Sequence, residues 1–155
     1  MSKSMNRVKS ALIAAGLDPQ IEDVGDARTA ADAARSVGCA LDQIAKSMIF
    51  GTETTGDAVL LLTAGGRQVD PVRAAGVVGE TLIRADAALV RAQTGFAIGG
   101  VSPVGHLTPV RAWIDPRLLD FDRVWAAAGT PRHVFGIDPL RLQALTGAQA
   151  ADFAV

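Results

Sequence analysis

The apolar positions of this chain change period several times, and each change marks an element. After a polar start, Val8, Leu12 and Ala15 are spaced for one face of a helix over residues 3–15, which Gly16 ends. Pro19 opens a short extended stretch over residues 20–24. Thr29 fits the N-cap of a helix over Ala30–Val37, with Arg35 near its end and Gly38 beyond it, and Asp42 is placed to cap a further turn. Residues 44–50 and 58–63 are apolar runs joined by the polar Gly51-Thr52-Glu53-Thr54-Thr55-Gly56 and followed by Ala64-Gly65-Gly66-Arg67, which predicts an antiparallel pair of strands.

Asp70-Pro71 predicts a helix running to about Ala75, before Gly76, and Asp86 opens another to about Gln93. Beyond Thr94 come a glycine-rich loop, strands over 110–114, 123–127 and 133–137 with a turn at Asp115-Pro116, and a last helix from Asp138-Pro139. Residues 149–155 are expected to fray. The fold class is α/β with interspersed elements, and at 155 residues and 49% apolar content the chain is expected to form one domain, 1–155, around one core.

Composition narrows the chemistry. One cysteine, Cys39, excludes an internal disulfide, and with only His106 and His133 beside it no zinc-ligand spacing exists, so neither metal nor cofactor is expected. No run reaches the roughly 18–20 apolar residues of a membrane span. Lys3, Arg7 and Lys9 interrupt the N-terminal segment, which lacks a cleavage site, so a cytoplasmic protein without membrane contact is expected. A net charge of −1 and a pI near 6.1 argue against a large phosphate footprint, and DNA is not an expected partner. Basic residues are uneven in type: twelve are arginine and three are lysine, and Lys46 is the only lysine past the first helix.

Strand alternation places Lys46 on one face with Ile44, Met48 and Phe50, and Ala45, Ser47 and Ile49 on the other. An ammonium among such neighbours needs an anionic partner, a cleft or a task, because unpaired burial costs several kcal/mol or lowers its pKa. The spacing equally allows a lysine that snorkels from a strand end.

The segment Thr94-Gly95-Phe96-Ala97-Ile98-Gly99-Gly100-Val101-Ser102-Pro103-Val104-Gly105-His106 holds four glycines and a proline. Such a loop brings backbone N–H groups close to a carbonyl oxygen or a phosphate, the geometry of an oxyanion hole or anion nest, and Ser102 adds a hydroxyl. It is neither a P-loop nor a GxGxxG fingerprint, and composition alone also fits a plain turn between strands.

Taken in order, Gln43-Ile44-Ala45-Lys46-Ser47-Met48-Ile49-Phe50, Thr94-Gly95-Phe96, Gly99-Gly100-Val101-Ser102-Pro103-Val104-Gly105, Pro109 and Ile114-Asp115 resemble the YbaK/ProX family of free-standing aminoacyl-tRNA deacylases. These are relatives of the editing domain inserted in bacterial prolyl-tRNA synthetases. The resemblance spans nearly the whole chain. It implies a mixed, largely antiparallel, barrel-like sheet flanked by helices, and hydrolysis of mischarged aminoacyl-tRNA in trans without a cofactor. The family's active-site lysine falls on Lys46, and its pocket-shaping loop on Gly99, Gly100, Val101, Ser102, Pro103 and Gly105. Thr29, Thr94, His106 and the small-residue stretch with Gly129 and Thr130 are further candidate contacts.

The implied substrate is a proline tRNA carrying a small non-cognate amino acid, with prolyl-tRNA synthetase as a partner. The sequence has no tyrosine, and the residues around His133 and Val134 lack the aspartate of the Cys-tRNA-clearing branch. Cysteine is therefore one option beside alanine, 2-aminobutyrate, serine and threonine. The alternative class is a non-catalytic module that binds aminoacyl-tRNA or an amino acid beside a synthetase.

No side chain is an evident general base, so a substrate-assisted route is expected, with Lys46 positioning rather than attacking. His106 is the rival base, or a turn residue; His133 reads as structural, Cys39 as a buried thiol, and Trp113 and Trp125 as core or pocket wall. Arg28, Arg35, Arg67, Arg73, Arg84, Arg91 and Arg111 are the candidates for phosphate contact, or solvated partners of the sixteen acids.

Overall fold

The computed structural model describes residues 2–155. Its five α-helices are α1 (Lys3–Ala14), α2 (Ala30–Val37), α3 (Pro71–Val78), α4 (Ala87–Thr94) and α5 (Pro139–Thr146). The strands are β1 (Ile21–Asp23), β2 (Ile44–Thr52), β3 (Ala58–Ala64), β4 (Leu82–Arg84), β5 (Arg111–Ile114), β6 (Val124–Thr130), β7 (His133–Ile137) and β8 (Gln149–Ala150). They form one mixed sheet in the order β1-β7-β6-β2-β3-β5-β8, with β4 paired to β2. The sheet stays open, with β1 and β8 at its ends, so the barrel-like closure is not made.

β3 is the buried centre. Its run Ala-Val-Leu-Leu-Leu-Thr-Ala is buried at every position, the continuous apolar pattern of a strand covered on both faces. Leu60 and Leu62 point into the main core with Val8 and Leu12 of α1, and Val59 and Leu61 into a second cluster with Ala74 and Val78 of α3. A third cluster joins Ala33 and Ala34 of α2 to Ile44, Trp125 and Val134. β2 alternates as its sequence predicts, with Ala45 in the main core and Ile44 under α2.

Several boundaries differ from the sequence expectation. α3 runs through Gly76 and ends at Gly79, where φ is +93°, because Val78 has a buried site to fill. β4 and the 3-10 turn over Pro116–Asp120 have patterns too short to register in the sequence. The C-terminus does not fray: β8 pairs with β5, Gln68 and Val155 exchange two backbone hydrogen bonds, and Phe153 is fully buried.

Candidate active site

The pairing of β2 creates the candidate site. β3 covers one edge of β2 from Ala45 to Gly51. The opposite edge meets β6 only at Ile44 and Ala45, and β4 only from Phe50 to Thr52. Between these contacts the edge carries no strand among the described residues, and a cleft of about 210 Å³ opens beside Lys46 and Ser47. Ala27, Ala30 and Ala33 wall it on the α2 side, Ile44, Trp125, Ala127 and Val134 on the sheet, and Gly99 and Val101 on the loop. Its polar lining comes from Arg28, Thr29, Lys46, Ser47, Thr130 and His133.

Lys46 is half-buried at the cleft. Its Nζ donates to the carbonyl oxygen of Arg67 at 2.5 Å. Burial pushes its pKa below the ordinary lysine value, and the carboxylates of Asp42 and Asp115 oppose that shift. An ammonium has three N–H donors, so two remain for a substrate.

The glycine loop is held from behind. Arg7 of α1 donates through Nη2 to the Gly95 carbonyl at 2.6 Å and through Nε to the Gly105 carbonyl at 3.3 Å, and its guanidinium lies 4.8 Å over the Phe96 ring. Gly100 is required by close approach: a Cβ there would come within 2.8 Å of the Thr130 backbone. The loop therefore packs directly on the β6–β7 turn, and Gly99 and Val101 line the same cleft as Lys46.

Of the residues singled out in the sequence, Lys46, Thr29, Gly99, Val101 and Thr130 line the cleft together. Thr29 is also the N-cap of α2, accepting the Asp32 N–H at 3.1 Å. Gly100, Ser102, Pro103, Gly105, Thr94, Gly129 and His106 do not line it. Ser102 is fully buried, and its Oγ accepts the Val104 N–H. Thr94 is buried at the end of α4, donating to the Val90 carbonyl. Gly129, at φ +93°, lets α1 approach, since a Cβ would lie 2.8 Å from the Ser4 backbone.

Pro103, Gly105 and His106 border a separate hollow on the far side of the loop. His106 donates from Nε2 to the Ser102 carbonyl at 2.6 Å and meets the Phe96 ring edge-on. Burial pushes its pKa down, so it is a neutral brace of the loop at neutral pH.

His133 and Ser47 are not among the candidate contacts read from the sequence, whereas Arg28 is a candidate for phosphate contact and Trp125 for core or pocket wall; all four line the cleft. His133, read as structural, pairs through Nδ1 with Thr130 Oγ1 at 2.7 Å. Among the candidate arginines, Arg35, Arg67, Arg73 and Arg111 are paired with carboxylates, whereas Arg28 at the cleft, Arg84 and Arg91 form no ion pair among the described residues. Burial raises the Cys39 pKa, as fits an unreactive thiol. Among the described residues no three His, Cys, Asp or Glu side chains are grouped to hold a metal ion, and no helix is long and apolar enough to cross a membrane.

Fold and cleft together define a single-domain α/β protein whose candidate site is a break in a mixed sheet, lined by one lysine and part of a braced glycine loop. The signature of the aminoacyl-tRNA editing domain matches residues 24–145, and the chain belongs to that family. It superposes with a TM-score of 0.93 on a candidate trans-editing enzyme for prolyl tRNA synthetase, at 44% identity over 100% of this chain and 99% of that one. The structure of hypothetical protein APE2540 is similar at 25% identity and a TM-score of 0.86, covering 96% of this chain and 99% of that one. The uncharacterized protein YwhH of Bacillus subtilis is 32% identical over 115 residues, 74% of this chain and 72% of that one.

Proposed function

We propose that the protein deacylates mischarged aminoacyl-tRNA in trans, acting on a proline tRNA that carries a small non-cognate amino acid: alanine, 2-aminobutyrate, serine, threonine or cysteine. The observation that carries this reading is the lining of one cleft of about 210 Å³ by Lys46, Gly99 and Val101. That volume lies below the roughly 300–1,000 Å³ of pockets for drug-sized ligands, and it suits a small side chain joined to a ribose.

In the reaction, water adds to the ester carbonyl carbon, the bond to the ribose oxygen breaks, and a proton passes to that oxygen. The Gly100 N–H is occupied by the Ala97 carbonyl at 3.0 Å, so in this reading the other amides of the Gly99 to Ser102 stretch serve the carbonyl oxygen. Lys46 supplies a fixed positive charge to the terminal phosphate or the developing oxyanion. A free hydroxyl of the terminal ribose activates the water, and the enzyme contributes position. Arg28 at the mouth supports an acceptor-end phosphate, with prolyl-tRNA synthetase as the partner that delivers or withdraws the tRNA.

The test is hydrolysis of proline tRNA charged with each of the five amino acids. Wild-type protein releases at least one of them, and Lys46→Ala loses release by 10²-fold or more, on the order of a lost charge-stabilising donor. Full turnover by Lys46→Ala sinks the assignment. Binding of all five without release identifies the non-catalytic module instead.

A further inference from the structure

We infer that Asp115 is the positioning residue of this site, its buried carboxylate fixing the Arg67 turn whose carbonyl aims the Lys46 ammonium into the cleft. The inference rests on the reading of Lys46 as the working cation.

Asp115 is 1% exposed and follows β5 directly. Its Oδ2 accepts the Ala64 N–H at 3.2 Å and Arg67 Nε at 3.0 Å, while Oδ1 accepts the Arg117 N–H at 3.0 Å. One carboxylate thus ties the end of β3, the turn after it and the segment after β5 into a single unit. Asp42 secures the same turn from the other side, its Oδ1 accepting the Gly66 N–H at 2.8 Å and its Oδ2 bonded to Arg117 Nε at 3.0 Å. The C-terminal segment adds a third tether, with Arg67 Nη2 donating to the Ala154 carbonyl at 2.8 Å.

The arrangement does more than brace a loop. A side-chain carboxylate bonded directly to Lys46 would neutralise the cation and compete with a substrate phosphate. Here a neutral carbonyl holds the ammonium, and the two carboxylates act from behind it. They oppose the burial that lowers the lysine pKa without closing an ion pair on it. The charged and titratable groups near Lys46 are therefore Asp42, Asp115, Arg67 and Arg117 around its turn, and Arg28 and His133 in the cleft lining.

The chain has only three lysines, Lys3, Lys9 and Lys46, so nuclear magnetic resonance of protein labelled with ¹³C and ¹⁵N in lysine resolves each ammonium, and Lys46→Ala assigns the signal. In Asp115→Asn the Lys46 midpoint is expected to fall further and its ammonium protons to exchange about tenfold faster, the factor carried by one net hydrogen bond. Arg67→Met keeps the carbonyl but cuts the tether, and it is expected to speed exchange in the same way; it carries the test should Asp115→Asn not fold. Unchanged midpoint and exchange in folded Asp115→Asn, or unchanged exchange in Arg67→Met, overturns the inference. These readouts need no substrate, so they stand apart from whether the deacylase assay succeeds. On the active enzyme, Asp115→Asn lowers kcat about tenfold with KM little changed and moves the alkaline limb of the pH profile downward.

Discussion

The ammonium of Lys46 is held 2.5 Å from the carbonyl oxygen of Arg67, in the turn that follows the adjacent end of the neighbouring strand. The pair joins the first residue of the open edge of β2 to the turn after β3. It converts a lysine that strand alternation places among Ile44, Met48 and Phe50 into a fixed cation at the rim of a cleft.

A pH prediction follows from the direction of the Lys46 shift. Its folded pKa lies below the ordinary value of 10.5, chiefly through burial, so the folded protein gives up this proton before the unfolded chain does. Between the lowered folded value and 10.5 the unfolded state binds more protons, and stability rises with pH across that window. Relative to Lys46→Met, wild type is expected to gain stability as pH climbs through the window, read as the difference between urea midpoints at each pH. A difference that stays flat contradicts the assignment.

Arg7 is expected to matter although it lies outside the cleft. It is bonded to the carbonyls at both ends of the glycine loop, and one lysine cannot reproduce two such contacts from a planar fork. Arg7→Leu should cost about 1.5–3 kcal/mol, the range for hydrogen bonds to a charged group. Urea unfolding measures that loss, and Arg7→Lys should recover less than half of it. Deacylation should fall in both variants, because Gly99 and Val101 then lose their fixed place in the cleft lining.

Ser47 offers the reverse case. Its Oγ is shielded from solvent and has no hydrogen-bond partner among the described residues, next to the cleft lysine. A buried unsatisfied hydroxyl costs about 1–3 kcal/mol, so Ser47→Ala should raise the melting temperature. A fall in that temperature would show that the hydroxyl has a partner in the folded protein.

Much of the local structure is legible in the order of residues. Thr29, Asp70, Asp86 and Asp138 each accept backbone N–H groups at a helix start, as their positions predict. The hairpin of β2 and β3, and the face of β2 that carries Lys46, also follow from alternation alone. Such features depend on neighbours within a few residues, whose spacing sequence records directly.

Most helices and strands, the isolated lysine and the family motifs can be read from the order of residues, whereas β4 and β8 cannot. Which of those residues share a cleft is settled by long-range packing. It separated Gly99 and Val101 at the wall from Ser102, Thr94 and Gly129 in the scaffold, turned His106 to the other side of the loop, and brought His133 and Arg28 in. The reason is physical: a cleft is made where pairing stops. Whether the edge of β2 is covered between Ala45 and Phe50 depends on where β6 and β4 end against it, contacts that span from about 30 to 80 residues of chain and leave no local periodicity to read.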